Sequence, residues 1–189
     1  MERFSVVVGD LTKSDAEVIV NSAAPDLLGG SGVDGAIHRA AGPALLEECR
    51  ALGGCETGKV KASSGCKLPV RYIFHTVGPV WQGGQQNEAA LLASCYRSCL
   101  ELAEEKGIAR IDFPSISPGV FGYPLPFAAT VALKDIMDFL RTHERPLEVR
   151  MVCHSEEIAD VYRMTYNMWY AVDKAHKMPT SDEDDEEEE

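Results

Sequence analysis

Short, almost wholly apolar runs alternate along this chain with longer segments whose apolar residues recur at helical spacing, and few folds accommodate that pattern. Residues 4–8 form a β-branched run that ends at Gly9-Asp10. Residues 18–20, Val-Ile-Val, are apolar without interruption. Further strands are expected at 59–63, 72–77, 108–113 and 147–153. Between them, helices are expected at 33–41 and 44–52, stopped by Gly42-Pro43 and Gly53-Gly54. The longest expected helix, 87–106, carries Leu91, Leu92, Cys95, Cys99, Leu102 and Ala103 at helical spacing, with Gly107 as its stop. Another is expected at 126–140 with Pro126 near its start, and a last one at 156–170. Strands that are apolar on both faces and linked by helices need a helix layer on each side. The expected fold is a three-layer α/β/α sandwich around a mixed, mostly parallel sheet.

The 189 residues suffice for one well-cored domain, expected to span residues 1–172. The formal charge of −12 needs locating before it means anything. Residues 182–189 hold eight acids and no base, which leaves 22 acids against 18 bases elsewhere, a net of −4. A block of like charge with nothing apolar to bury reads as a disordered acidic tail, here from 173 to 189. A net-negative body argues against nucleic acid as a partner, since that binding rests on Lys and Arg neutralising phosphates. The first residues enter a strand pattern directly, with no secretory signal, and no apolar run has the length of a membrane span. Six cysteines without zinc-ligand spacing then read as reduced core residues of a cytoplasmic protein.

Ligands of open α/β sheets bind beyond the carboxyl ends of the strands. Three strand exits are rich in small and polar residues: 9–12, 21–35 and 115–123. Parallel strands would open all three on one edge. The middle loop holds three glycines in four positions (Gly29, Gly30, Gly32) and one acid, Asp34, where loop becomes helix. Glycines let backbone N–H groups approach a ligand closely, and a helix start offers unpaired donors. An acid there can equally cap the helix and offset its dipole. A cap, however, needs no glycine loop before it. Residues 30–35 match GxGxxG, but nine residues separate the strand from the glycines, so the dinucleotide fingerprint fails its context. His38, one turn past Asp34, and His75, inside an apolar strand, read more simply as satisfied core histidines than as catalysts. Trp81 reads as a loop-packing residue. No Ser/His/Asp spacing supports a serine hydrolase.

On these residues the chain resembles the macrodomains, specifically their bacterial and MacroD-type branch. The match includes Gly9-Asp10-Leu11-Thr12, Val18 to Asn21, Gly29 to Gly42, Thr57-Gly58, His75 to Pro79 and Phe113 to Pro124, within residues 4–170. The resemblance implies a pocket for ADP-ribose. Asp10 and the Leu11 N–H would hold adenine. Backbone N–H groups of Gly32, Val33 and the loop Ser117, Pro118, Gly119, Val120 and Phe121 would hold the diphosphate, with Phe121 beside the distal ribose. Asp34 would be the catalytic acid, orienting or deprotonating a water for attack at an ester on that ribose. The implied reactions release mono-ADP-ribose from Asp or Glu side chains and deacetylate O-acetyl-ADP-ribose, without a cofactor or metal. The implied partners are those molecules and mono-ADP-ribosylated proteins, and the expected state is a monomer.

Three residues depart from the family's pattern. Ala24 stands where the family has an asparagine that bonds the distal ribose. Pro118 replaces a threonine and removes an N–H donor. Ser31 replaces a glycine. A lost neutral hydrogen bond costs about 0.5–1.5 kcal/mol, and a mispositioned ribose could slow turnover roughly 10²-fold. Two readings therefore stay open: an ester hydrolase working through Asp34, and a non-catalytic reader of ADP-ribose.

Overall fold

The computed structural model describes residues 2–119 and 121–177. Six strands, β1 (Phe4–Val8), β2 (Val18–Ser22), β3 (Val60–Ser64), β4 (Tyr72–Thr76), β5 (Arg110–Phe113) and β6 (Glu148–Cys153), form one sheet in the order β1-β6-β5-β2-β4-β3. All neighbours are parallel except β3, which runs antiparallel to β4. Helices α1 (Gly32–Ala41) and α2 (Pro43–Leu52) cover one face; α3 (Glu88–Glu105), α4 (Leu125–Thr142) and α5 (Glu156–Lys177) cover the other. The expected three-layer sandwich is the fold observed.

The unbroken apolar run of β2 follows from its central place. Successive side chains point to opposite faces. Val18 and Val20 pack with Phe74, Phe113 and Met151 under α3, α4 and α5, while Ile19 joins Ile37, Leu45 and Ile73 under α1 and α2. All three β2 residues are fully buried. Cys49, Cys55, Cys95, Cys99 and Cys153 are buried as expected, whereas Cys66 is only half-buried, with its thiol donating to Glu48. Among the described residues no helix is long and apolar enough to cross a membrane.

Two elements differ from expectation. Leu11–Lys13 is a 3-10 turn, nucleated by Asp10, whose Oδ1 accepts from the Thr12 N–H at 2.9 Å and the Thr12 hydroxyl at 2.6 Å. The final helix continues to Lys177, so residues 173–177, expected to be disordered tail, are helical. Trp169, stacked on Arg141 at 4.6 Å, helps dock this last stretch against α4. Residues 178–189, with the acidic block, lie outside the described residues.

A buried ionic cluster closes the α1–α2 face near the start of β2. Asp112 of β5 accepts from Arg150 Nε at 2.7 Å, from its terminal nitrogen at 2.9 Å and from Ser14 Oγ at 2.6 Å. Asp15 takes a further 2.6 Å bond from Arg150. This carboxylate is fully provided for.

Candidate active site

Strand order explains where the cavity lies. The exits of β1, β6, β5 and β2 stand side by side and point the same way, so their loops surround one cleft of about 910 Å³. Asp10 and Leu11 line it after β1, Ala24 after β2, Gly32, Val33 and Asp34 at the start of α1, and Pro118, Gly119 and Phe121 after β5. Val120 lies outside the described residues.

Ser117 is the exception among the expected residues. It is buried beneath the loop and not part of the lining, because its Oγ donates to the Pro79 carbonyl at 3.0 Å and its backbone sits at φ +75°. The approach is so close that a Cβ on Gly78 would fall 2.2 Å from that Oγ. Ser117 thus braces the loop from below. Trp81 does so from the side, its backbone N–H donating to the Phe121 carbonyl at 2.8 Å and its ring packing on Tyr123 at 4.7 Å. At the stem, Ser115 bonds Tyr162 at 2.5 Å and the Ile116 N–H reaches Tyr96 Oη at 3.3 Å.

The fourth wall was not foreseen. Val152, Cys153 and His154 at the β6 exit, with Ile158 on α5, complete the lining between the β1 and β5 loops. This exit has no glycine and no motif; only β6 pairing between β1 and β5 brings it there. Cys153 is no nucleophile, since burial pushes its thiol up to about 11.

Ser31, the N-cap of α1, makes no side-chain cap bond, so the first-turn donors of that helix remain uncapped beside the cleft. Gly35 lets loop and helix meet: a Cβ there would lie 2.5 Å from the Gly30 carbonyl. Asp34 sits one residue earlier, buried to 5 % exposure. Its Oδ1 accepts from Asn21 Nδ2 at 2.9 Å and lies 3.5 Å from His38 Nε2, too long for a hydrogen bond. Burial raises the Asp34 carboxyl above its ordinary value, and the Asn21 bond and His38 only partly oppose this. Asp10 contrasts with it, held low by the Thr12 hydrogen bonds.

His75 is buried on β4, and burial together with nearby His38 lowers its pKa to about 4. It is therefore neutral at physiological pH, the core histidine that its apolar strand implied. Among the described residues no group of three or more His, Cys, Asp or Glu is placed to hold a metal.

A cleft at the carboxyl ends of a parallel sheet, with a glycine loop and an uncapped helix start on one side and a second glycine loop opposite, defines a site for an anionic, elongated ligand. The Macro domain family model matches residues 20–132. This chain belongs to the macrodomain family. It is 48% identical over 164 residues to the O-acetyl-ADP-ribose deacetylase of Salmonella gallinarum, covering 85% of this chain and 92% of that protein. A macro domain-containing protein of Methanosarcina mazei is 53% identical over 157 residues, covering 83% and 84%. The Oceanobacillus iheyensis macrodomain solved with ADP superposes with a TM-score of 0.82 at 45% identity, covering 89% of this chain and 91% of that one. The Trypanosoma brucei macrodomain in complex with ADP-ribose gives 0.81 at 40% identity, covering 86% and 68%.

Proposed function

We propose that this chain binds ADP-ribose in the cleft and hydrolyses ADP-ribosyl esters, with O-acetyl-ADP-ribose and mono-ADP-ribose on Asp or Glu as substrates. The observation that carries the proposal is Asp34: a buried carboxylate without a cationic hydrogen-bond partner, on the cleft wall beside uncapped helix donors. The N–H groups of Gly32 and Val33, with those of Gly119 and Phe121 opposite, bind the diphosphate as an anion nest. Asp10 and Leu11, on the β1 side next to Val152 and Ile158, receive the adenine. Phe121 packs beside the distal ribose.

Asp34 accepts a proton from a water as the water oxygen bonds the ester carbonyl carbon. The bond from that carbon to the ribose oxygen then breaks, and the proton passes from Asp34 to the departing oxygen, which leaves as the free ribose hydroxyl. A base whose pKa burial has raised is better matched to this task than an ordinary surface aspartate. Ala24 supplies no side-chain hydrogen bond to the ribose, so turnover is slower than an asparagine there would give. A purely binding role is the second reading, and Ala24 is the observation that favours it. The test is release of ADP-ribose from a carboxylate-linked mono-ADP-ribosylated protein, beside calorimetry with free ADP-ribose. Binding with Asp34-dependent release is expected. Binding without release over hours supports the reader, and absence of binding overturns both.

A further inference from the structure

Behind Asp34 runs a chain of buried polar side chains that crosses three strands and touches no part of the cleft lining beyond the carboxylate itself. Asn21 and His75 are register partners on neighbouring parallel strands, and Ser63 stands on β3 two residues along from Lys61, the partner of His75. Ser63 Oγ lies 2.8 Å from His75 Nε2, and His75 Nδ1 lies 3.1 Å from Asn21 Nδ2. Asn21 Nδ2 in turn lies 2.9 Å from Asp34 Oδ1. Asn21, Ser63 and His75 are each buried, so each depends on its partners for hydrogen bonding.

With Asp34 ionised, donor and acceptor inventories leave one consistent assignment, in which Cys49 Sγ, 3.8 Å from His75 Nε2, is a second, weak acceptor beside Ser63. Asn21 Nδ2 can only donate, so its two hydrogens go to Asp34 Oδ1 and to His75 Nδ1. His75 Nδ1 must then be the bare nitrogen, and the ring proton sits on Nε2, donating to Ser63 Oγ. Ser63 passes its own hydrogen to the Ser64 carbonyl at 3.0 Å. Turning the Asn21 amide over would set its oxygen against Asp34 Oδ1. The orientation carries a cost that is visible in the structure, since Asn21 Oδ1 is buried without a partner. The chain engages Oδ1 and leaves Oδ2 on the Gly30 side, where a Cβ at Gly30 would come within 3.0 Å of it.

We propose that Asn21, His75 and Ser63 are positioning residues that fix the Asp34 carboxylate, holding Oδ1 from behind so that Oδ2 is the oxygen that meets the reacting water. The inference rests on the hydrolase reading of the site. His75 sets the direction of the chain, because its tautomer decides which way the Asn21 amide can face. Side chains that act on a reacting group through such contacts alter rate far more than ligand affinity.

Two measurements on the full chain test this. A long-range proton–nitrogen NMR spectrum at neutral pH should show His75 neutral with its proton on Nε2; a proton on Nδ1 would overturn the proposal without any substitution. In steady-state ester hydrolysis, His75→Phe should lower kcat about tenfold or more while KM and the ADP-ribose Kd stay within about twofold. His75→Asn, which keeps an acceptor at the Nδ1 position, should recover most of that loss. Equal losses in Phe and Asn variants, or a loss that falls on KM, would also overturn it. Asp34→Ala separates the layers. If it keeps the wild-type rate, the hydrolase reading fails; if it loses the rate while folded His75→Phe keeps wild-type kcat, only the positioning role fails.

Discussion

Two buried aspartates, Asp112 on β5 and Asp34 in the first turn of α1, are treated in opposite ways. Asp112 is 2 % exposed and receives a two-point contact from Arg150 and a hydroxyl from Ser14. Asp34 is 5 % exposed and has only neutral donors, the Asn21 amide and the Ala24 backbone N–H, with His38 at a distance. The first carboxylate is compensated and ties loop to strands. The second carries a cost of burial that its partners offset only in part, the pattern expected of the catalytic role proposed for it.

The contrast can be broken from several sides. Asp34→Ala should cut ester hydrolysis roughly 10²–10⁴-fold in an ADP-ribose release assay while the protein stays folded. Asp112→Ala should do the reverse: about 3 kcal/mol lost in urea unfolding, with Arg150 left half-buried and short of its main partner, and unchanged ADP-ribose affinity in the folded protein. His75 supplies a pH arm. Its folded pKa of about 4 lies below the ordinary 6.5, so its contribution to stability is complete above 6.5 and is lost as pH falls to about 4, on the order of 3 kcal/mol in all. Urea midpoints across that range check it, and His75→Asn should flatten the slope.

Smaller effects are expected at the cleft. Ala24→Asn should raise ADP-ribose affinity up to about tenfold and turnover by up to roughly 10²-fold. Asp34→Asn should raise Tm slightly at pH 7. The folded pKa of Asp34 is raised, so ionising it in the fold costs stability as pH climbs from the unfolded value through the folded one. In the proposed mechanism the same titration switches hydrolysis on, so activity should fall and stability rise as pH drops through that window.

What the sequence disclosed depended on whether the cause was local. Helix starts and stops at Gly42-Pro43, Gly53 and Gly107 lie within a residue or two of their expected places because capping chemistry is local. The glycine loop before Asp34 was legible for the same reason. The antiparallel direction of β3 was not, since no residue within it encodes a neighbour. The Val152 to His154 wall was missed because β6 is last in sequence but lies between β1 and β5 in space. Ser117 was expected to offer its backbone N–H to the ligand; that its hydroxyl bonds the Pro79 carbonyl was not legible, because tertiary packing sets that contact. The links from Asn21 to His75 to Ser63 likewise depend on strand register.

The pairing of β1 with β6 has a consequence for synthesis. Phe4 aligns with Val149 and Val8 with Cys153, so the end of the cleft proposed to receive adenine is built from the first and last strands of the chain. A nascent chain that has emerged only as far as α4 already holds Asp34 and both glycine loops, but its cleft still lacks one wall. Binding competence therefore arrives late and all at once, when the ribosome releases the final strand.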